Sequence, residues 1–88
     1  DSRKASTAIV TLRSQFEAMR LKELEHFRSK KHVSEHELAL LEHFGTRLIN
    51  KLLHSPTSKL RQLSEGGASS QELLNSLEIL GLVDGEDE

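Results

Sequence analysis

The sequence predicts an all-α fold, and three observations carry the prediction. Leucine supplies 16 of the 31 hydrophobic residues, and β-branched and aromatic residues are scarce. Leu, Glu, Lys, Arg, Ala and Gln are residues that lose little side-chain freedom in a helix. No segment alternates with period two, whereas apolar residues recur at spacings of three and four between cap-like residues. The expected architecture is a long antiparallel helical hairpin plus two short C-terminal helices, dimerising into a helical bundle.

The first helix is expected from about Ser6 to Lys30. Ile9, Leu12, Phe16, Met19, Leu24 and Phe27 lie along one stripe of it. Such a helix is about 36 Å long. A compact chain of this length has a radius of gyration of only ~12 Å. The helix must therefore overhang its own domain or pack against another chain.

Residues 29–33 read as a short polar link. Ser34 then stands as an N-cap, with Glu37 closing a capping box and Val33 and Leu38 placed as a hydrophobic staple. The second helix is expected to continue to about Leu53. Leu38, Leu41, Phe44, Leu48 and Leu52 form one stripe, and Leu40, Ile49 and Leu53 widen it to a second face. A helix apolar on two faces has two packing partners. Gly45 lowers helix propensity by about 1 kcal/mol relative to Ala. A close backbone approach would justify it, and so would a tolerated surface position.

His54-Ser55-Pro56-Thr57 reads as a stop and restart, because Pro disfavours helix for the residue before it and suits a first turn. A short third helix would carry Leu60 and Leu63 and end at Gly66-Gly67. Ser69 and Glu72 form a second capping box, opening a fourth helix with Leu73, Leu74, Leu77 and Leu80. Gly81 is placed as the left-handed residue after that helix, with Leu82 supplying the accompanying apolar contact. Residues 83–88 are expected to be an acidic, disordered tail.

Composition bounds the function. Eighty-eight residues fit one small domain, which buries roughly 60–65% of its unfolded surface and is marginally stable without help. With no cysteine there is no disulfide scaffold, thiolate zinc site or thiol nucleophile. Asp1 is not a natural start, which predicts a piece of a longer chain. The net charge of −2 hides an asymmetry: +4 over residues 1–33, +1 over 34–63 and −7 over 64–88. A basic front can touch nucleic acid, but solvated helix faces produce the same arithmetic.

No active site is legible. His26, His32, His36, His43 and His54 are the only ligand candidates besides carboxylates. They form no metal motif, and surface or capping histidines account for them. Neither a phosphate loop nor a nucleophile elbow is present. The pairs Glu23/Glu25 and Glu35/Glu37 are two apart and do not face each other on a helix. Without Tyr or Trp, and with Phe confined to apolar stripes, no stacking platform for single strands exists. Catalytic, cofactor-binding and metal residues are therefore all expected to be absent, and the chain reads as an interaction module. Its interface is expected on Ile9, Leu12, Phe16, Met19, Leu41, Phe44, Leu48 and Leu52, closing a twofold homodimer.

Two strings go further. Leu12-Arg13, Glu17, Met19-Arg20 and Glu23-Leu24 resemble the LR…E…(I/M)R…EL pattern that opens the C-terminal domain of glutamyl-tRNA reductase. Ile49-Asn50-Lys51-Leu52-Leu53-His54-Ser55-Pro56, followed by Leu60-Arg61, resembles that family's I-N-K-L-L-H-x-P…LR signature. The second string is highly specific, and both occur in the right order over residues 7–63. Phe16, Phe44-Gly45 and the acidic end match no family motif.

The resemblance implies a non-catalytic dimerisation domain over residues 9–82, with residues 1–8 the end of the family's spinal helix or a cloning remnant. It implies a parent enzyme that reduces glutamyl-tRNA with NADPH to glutamate-1-semialdehyde, the committed step of tetrapyrrole synthesis. The family's catalytic cysteine and NADPH site lie in other domains, which agrees with a cysteine-free chain. It further implies a homodimer without membrane or metal, in the cytoplasm, or in the plastid stroma of a photosynthetic eukaryote. Two other occupants follow. Transfer RNA could lie on Arg13, Arg20, Lys22, Arg28, Lys30 and Lys31 of the first helix, although Glu17, Glu23 and Glu25 share it. A regulatory protein could cover the second apolar face instead of another copy.

Overall fold

A computed structural model describes residues 2–30 and 32–84, with side chains from Ala5 onward. Three helices follow in order: α1 Ser2–Lys30, α2 Glu35–Glu65 and α3 Ser70–Ile79. No strand occurs among the described residues. The all-α class is thus observed, with three helices in place of the four expected.

α1 and α2 form the antiparallel hairpin. At 29 and 31 residues they are each about 45 Å long. They run nearly the full 49 Å of a molecule only 18 Å thick, whose radius of gyration is 15.6 Å. The turn between them is set as the sequence predicts. The Ser34 hydroxyl accepts from Glu37 N–H at 3.0 Å, and Ser34 N–H donates to the Glu37 carboxylate at 2.8 Å. Behind this cap Leu38 is buried and Val33 half-buried.

α2 does not stop at Pro56. The expected break is corrected by an unbroken helix from Glu35 to Glu65 with Pro56 inside it. Proline removes one backbone donor and crowds the preceding turn. Burial on both sides opposes that cost. Ile49 and Leu53 before the proline and Leu60 after it enter the same core. A restart in a new direction would withdraw Leu60 from that core.

α2 and α3 end alike. Ala68 N–H reaches Leu63 C=O and Gly67 N–H reaches Ser64 C=O, both at 3.0 Å. Leu82 N–H reaches Leu77 C=O at 2.9 Å, and Gly81 N–H reaches Glu78 C=O at 3.0 Å. Both are Schellman turns, which need a left-handed residue after the helix. Gly67 and Gly81 supply it, with φ of 111° and 75°. The Ser69–Glu72 capping box opens α3 as expected.

The core lies at one end of the hairpin. Ala5, Ala8 and Leu12 of α1 meet Ile49, Leu53 and Leu60 of α2, Leu73 and Leu77 of α3, and Val83. α1 thus begins before Ser6, because its first turns carry Ala5 and Ala8 into this core. Val83, expected in a disordered tail, is instead buried, and Asp84 N–H donates to the Gln15 side chain at 2.7 Å. The Schellman turn after α3 aims the chain back along α1 and so places both residues. The rest of the expected tail, residues 85–88, lies outside the described residues, as does Lys31.

Candidate functional site

The hairpin has a three-helix half and a two-helix half. α3 covers the half that holds the start of α1 and the end of α2. Toward Ser34, no described residues cover α1 and α2 but their own. A groove of about 370 Å³ opens there, lined by Arg20, Glu23, Leu24, Phe27, Leu41, Phe44 and Gly45.

α2 supplies the apolar part of this surface. Leu38, Ile49, Leu53 and Leu60 form its buried stripe. Leu41, Phe44, Leu48 and Leu52 form a second stripe, turned roughly 100° from the first at 3.6 residues per turn. Phe44 is 64% exposed, Leu52 55% and Leu48 44%, with Leu41 half-buried between them. A run of large apolar side chains left in water marks an interaction surface.

The structure separates the eight expected interface residues. Leu41, Phe44, Leu48 and Leu52 share the exposed stripe. Leu12 does not belong with them: it is 1% exposed, inside its own chain's core. Ile9 and Phe16 pack against that same core. Met19 is exposed further along α1, beside Gly81–Asp84. Periodicity shows that the first helix has an apolar stripe but not which neighbour takes it. α3 takes the early part of that stripe.

A polar network that the sequence reading missed ties the hairpin together. Arg13 Nη1 donates to Asn50 Oδ1 at 3.1 Å across the helices, and lies 3.5 Å from the Glu17 carboxylate. Arg20 Nε donates to the same carboxylate at 2.7 Å. The Arg20 stem lies over Gly45, where an added Cβ would meet Arg20 Cδ at 3.0 Å. This close approach accounts for a glycine within a helix. Arg20 is 18% exposed, and its Nη1 is buried without a hydrogen-bond partner among the described residues. The Arg13/Glu17 and Glu17/Arg20 spacings signalled the α1 part. Residues about equally far from the middle of the link, near position 32, face each other in a hairpin, which would have paired Arg13 with Asn50 and Arg20 with Gly45.

The remaining signature residues fall on both sides of α2. Leu53 is core and Leu52 is on the exposed stripe. Asn50, Lys51 and His54, with Arg47, line a shallow groove on the outer face. Glu23 and Leu24 border the apolar groove, and Pro56 is half-buried. Among the described residues, no three His, Asp or Glu side chains converge on a point fit for a metal ion. None of the described helices is long and apolar enough to cross a membrane.

Residues 1–81 match the family model described as the dimerisation domain of glutamyl-tRNA(Glu) reductase. The chain is 45% identical over 58 residues to glutamyl-tRNA reductase of Chlorobium phaeobacteroides, which is 66% of this chain and 13% of that protein. It is 43% identical to the Chlorobaculum parvum enzyme over the same shares. The Geobacter metallireducens enzyme is 40% identical over 65 residues, covering 73% of this chain and 15% of that one. The chain thus spans only about an eighth of the length of these curated relatives. No solved structure matches it.

Proposed function

Because this chain belongs to the glutamyl-tRNA reductase dimerisation-domain family, we propose that it joins two copies of a parent enzyme through the exposed stripe of α2. The observation that carries the reading is the run of Leu41, Phe44, Leu48 and Leu52 along a face of α2 turned away from its buried stripe, three of the four exposed. Two such stripes brought together around a twofold axis would form a four-helix arrangement. The buried, unpartnered Arg20 Nη1 beside the groove supports it, since such a donor needs an acceptor.

The parent's reaction would be the NADPH-dependent reduction of glutamyl-tRNA to glutamate-1-semialdehyde for tetrapyrrole synthesis. The family supports that assignment. The 88 residues include, among those described, no strand that leads into a glycine-rich turn. In this reading they contribute assembly, and the cofactor and the reacting bond are held elsewhere in the parent. A cytoplasmic or plastid-stromal setting follows from the same pathway.

Leu48→Glu tests the self-association. A carboxylate trapped unpaired in an apolar contact costs several kcal/mol. Leu48 is not part of the chain's own core, so the variant should keep its helicity and sediment at half the mass of the native chain. An unchanged mass for the variant, or a native chain that is monomeric at micromolar concentration, would refute this interface.

A further inference from the structure

The apolar groove between α1 and α2 carries an unbalanced charge. Arg13 and Arg20 share the single Glu17 carboxylate, at 3.5 and 2.7 Å, so these three side chains hold one positive charge too many. Arg20 is mostly buried and its Nη1 has no hydrogen-bond partner among the described residues. The same groove is lined by one carboxylate, Glu23, which is exposed and makes no ion pair among the described residues. Every copy of the chain therefore presents, in one groove, a guanidinium short of an acid and an acid short of a cation.

The apolar surface has a centre beside this groove. Phe44 is the most exposed member of the α2 stripe. Leu40, one turn before it, is also exposed, and Leu48 follows one turn later. Across the groove α1 adds Leu24, half-buried, and the exposed Phe27. Large apolar side chains belong at the middle of a contact and charged ones nearer its rim. In a twofold contact, if one residue meets a second, the second meets the first. A residue at the axis meets its own copy.

We propose that the twofold axis crosses α2 beside Phe44, so that groove faces groove and each Arg20 pairs with Glu23 of the partner subunit. This rests on the self-association through α2 put forward above and adds its register. Two equivalent ion pairs would flank the Phe44 contact. Each supplies the negative charge that Glu17 alone cannot divide between two guanidinium groups. An Arg–carboxylate pair is directional, so it fixes orientation where apolar packing alone would let the two helices slide.

The chain has no cysteine, so single cysteines report which residues meet their own copies. Under oxidised glutathione, Phe44→Cys should crosslink two copies. Leu52→Cys should not: it lies about 12 Å further along α2, and a disulfide needs its two Cα atoms within about 7 Å. Sedimentation should show Glu23→Gln weakening self-association about tenfold or more. In an Arg20→Met background the same change should alter the dissociation constant less than about twofold, because the cation it would pair with is gone. The melting of dilute Glu23→Gln monomer should match that of the native monomer.

A native chain that stays monomeric at micromolar concentration refutes the self-association itself, and the register with it. With a native dimer, three results overturn the register alone. One is crosslinking of Leu52→Cys as readily as of Phe44→Cys. Another is an unchanged dissociation constant for Glu23→Gln. The third is a lower melting temperature of its dilute monomer with unchanged association, which would make Glu23 a partner of its own chain. Should Phe44→Cys be monomeric, the Glu23→Gln and Arg20→Met cycle decides.

Discussion

Gly45 and Arg20 show how one residue's fitness depends on another across the hairpin. In isolation Gly45→Ala would add about 1 kcal/mol of helix propensity. The new Cβ would sit 3.0 Å from Arg20 Cδ, and the Glu17 carboxylate holds that side chain at 2.7 Å. The substitution is expected to give no net gain in the native chain. After Arg20→Ala it should stabilise by about 1 kcal/mol, because the obstruction is gone. Urea unfolding of the four proteins in this double-mutant cycle measures the coupling. An equal gain in both backgrounds would show that Arg20 does not explain the glycine. Sequence alone leaves the glycine open, since its reason lies 25 positions away in the chain.

Each end of an element was legible where its chemistry is local. Ser34, Glu37, Ser69 and Glu72 form two capping boxes because a box involves only residues three apart. Ser34→Ala and Ser69→Ala should each cost about 1 kcal/mol, read as a lower unfolding midpoint. Gly67 and Gly81 end their helices for an equally local reason. Pro56 is the opposite case. Its local preference for a boundary is overridden because Leu53 and Leu60 need one straight helix to reach one core. Pro56→Ala should therefore raise stability, by about 1–3 kcal/mol, since it restores a donor and relieves the ring's clash. A loss of stability in thermal unfolding would mean that the proline suits a local distortion of α2.

For the whole molecule, two leucines five positions apart on α2 have different tasks. Leu53 is 1% exposed in the core, and Leu48 is 44% exposed on the uncovered stripe. Leu53→Ala should cost about 2–5 kcal/mol, a large part of a small domain's stability. Its signature is a lower melting temperature of the helical signal. Leu48→Ala, lacking a core contact to lose within its own chain, should leave a dilute monomer's melting nearly unchanged. Circular dichroism at concentrations below any self-association separates the two. Equal destabilisation would show that the two stripes are not distinct.

The sequence by itself determined the all-α class, the long hairpin, the capping turns and the family, because those follow from neighbours within a few residues and from two matching strings. Tertiary structure decided which apolar stripe each helix buries. Burial belongs to whichever element arrives, and α3 with the turn after it reaches only one half of the hairpin. That placement took Leu12 into the core, carried α2 through Pro56, and left Phe44, Leu48 and Leu52 in water. Pairing between helices decided the charge as well. On the first helix Arg13 and Arg20 share Glu17 and Arg28 meets Glu25, pairings set by helix spacing and the hairpin rather than by net charge.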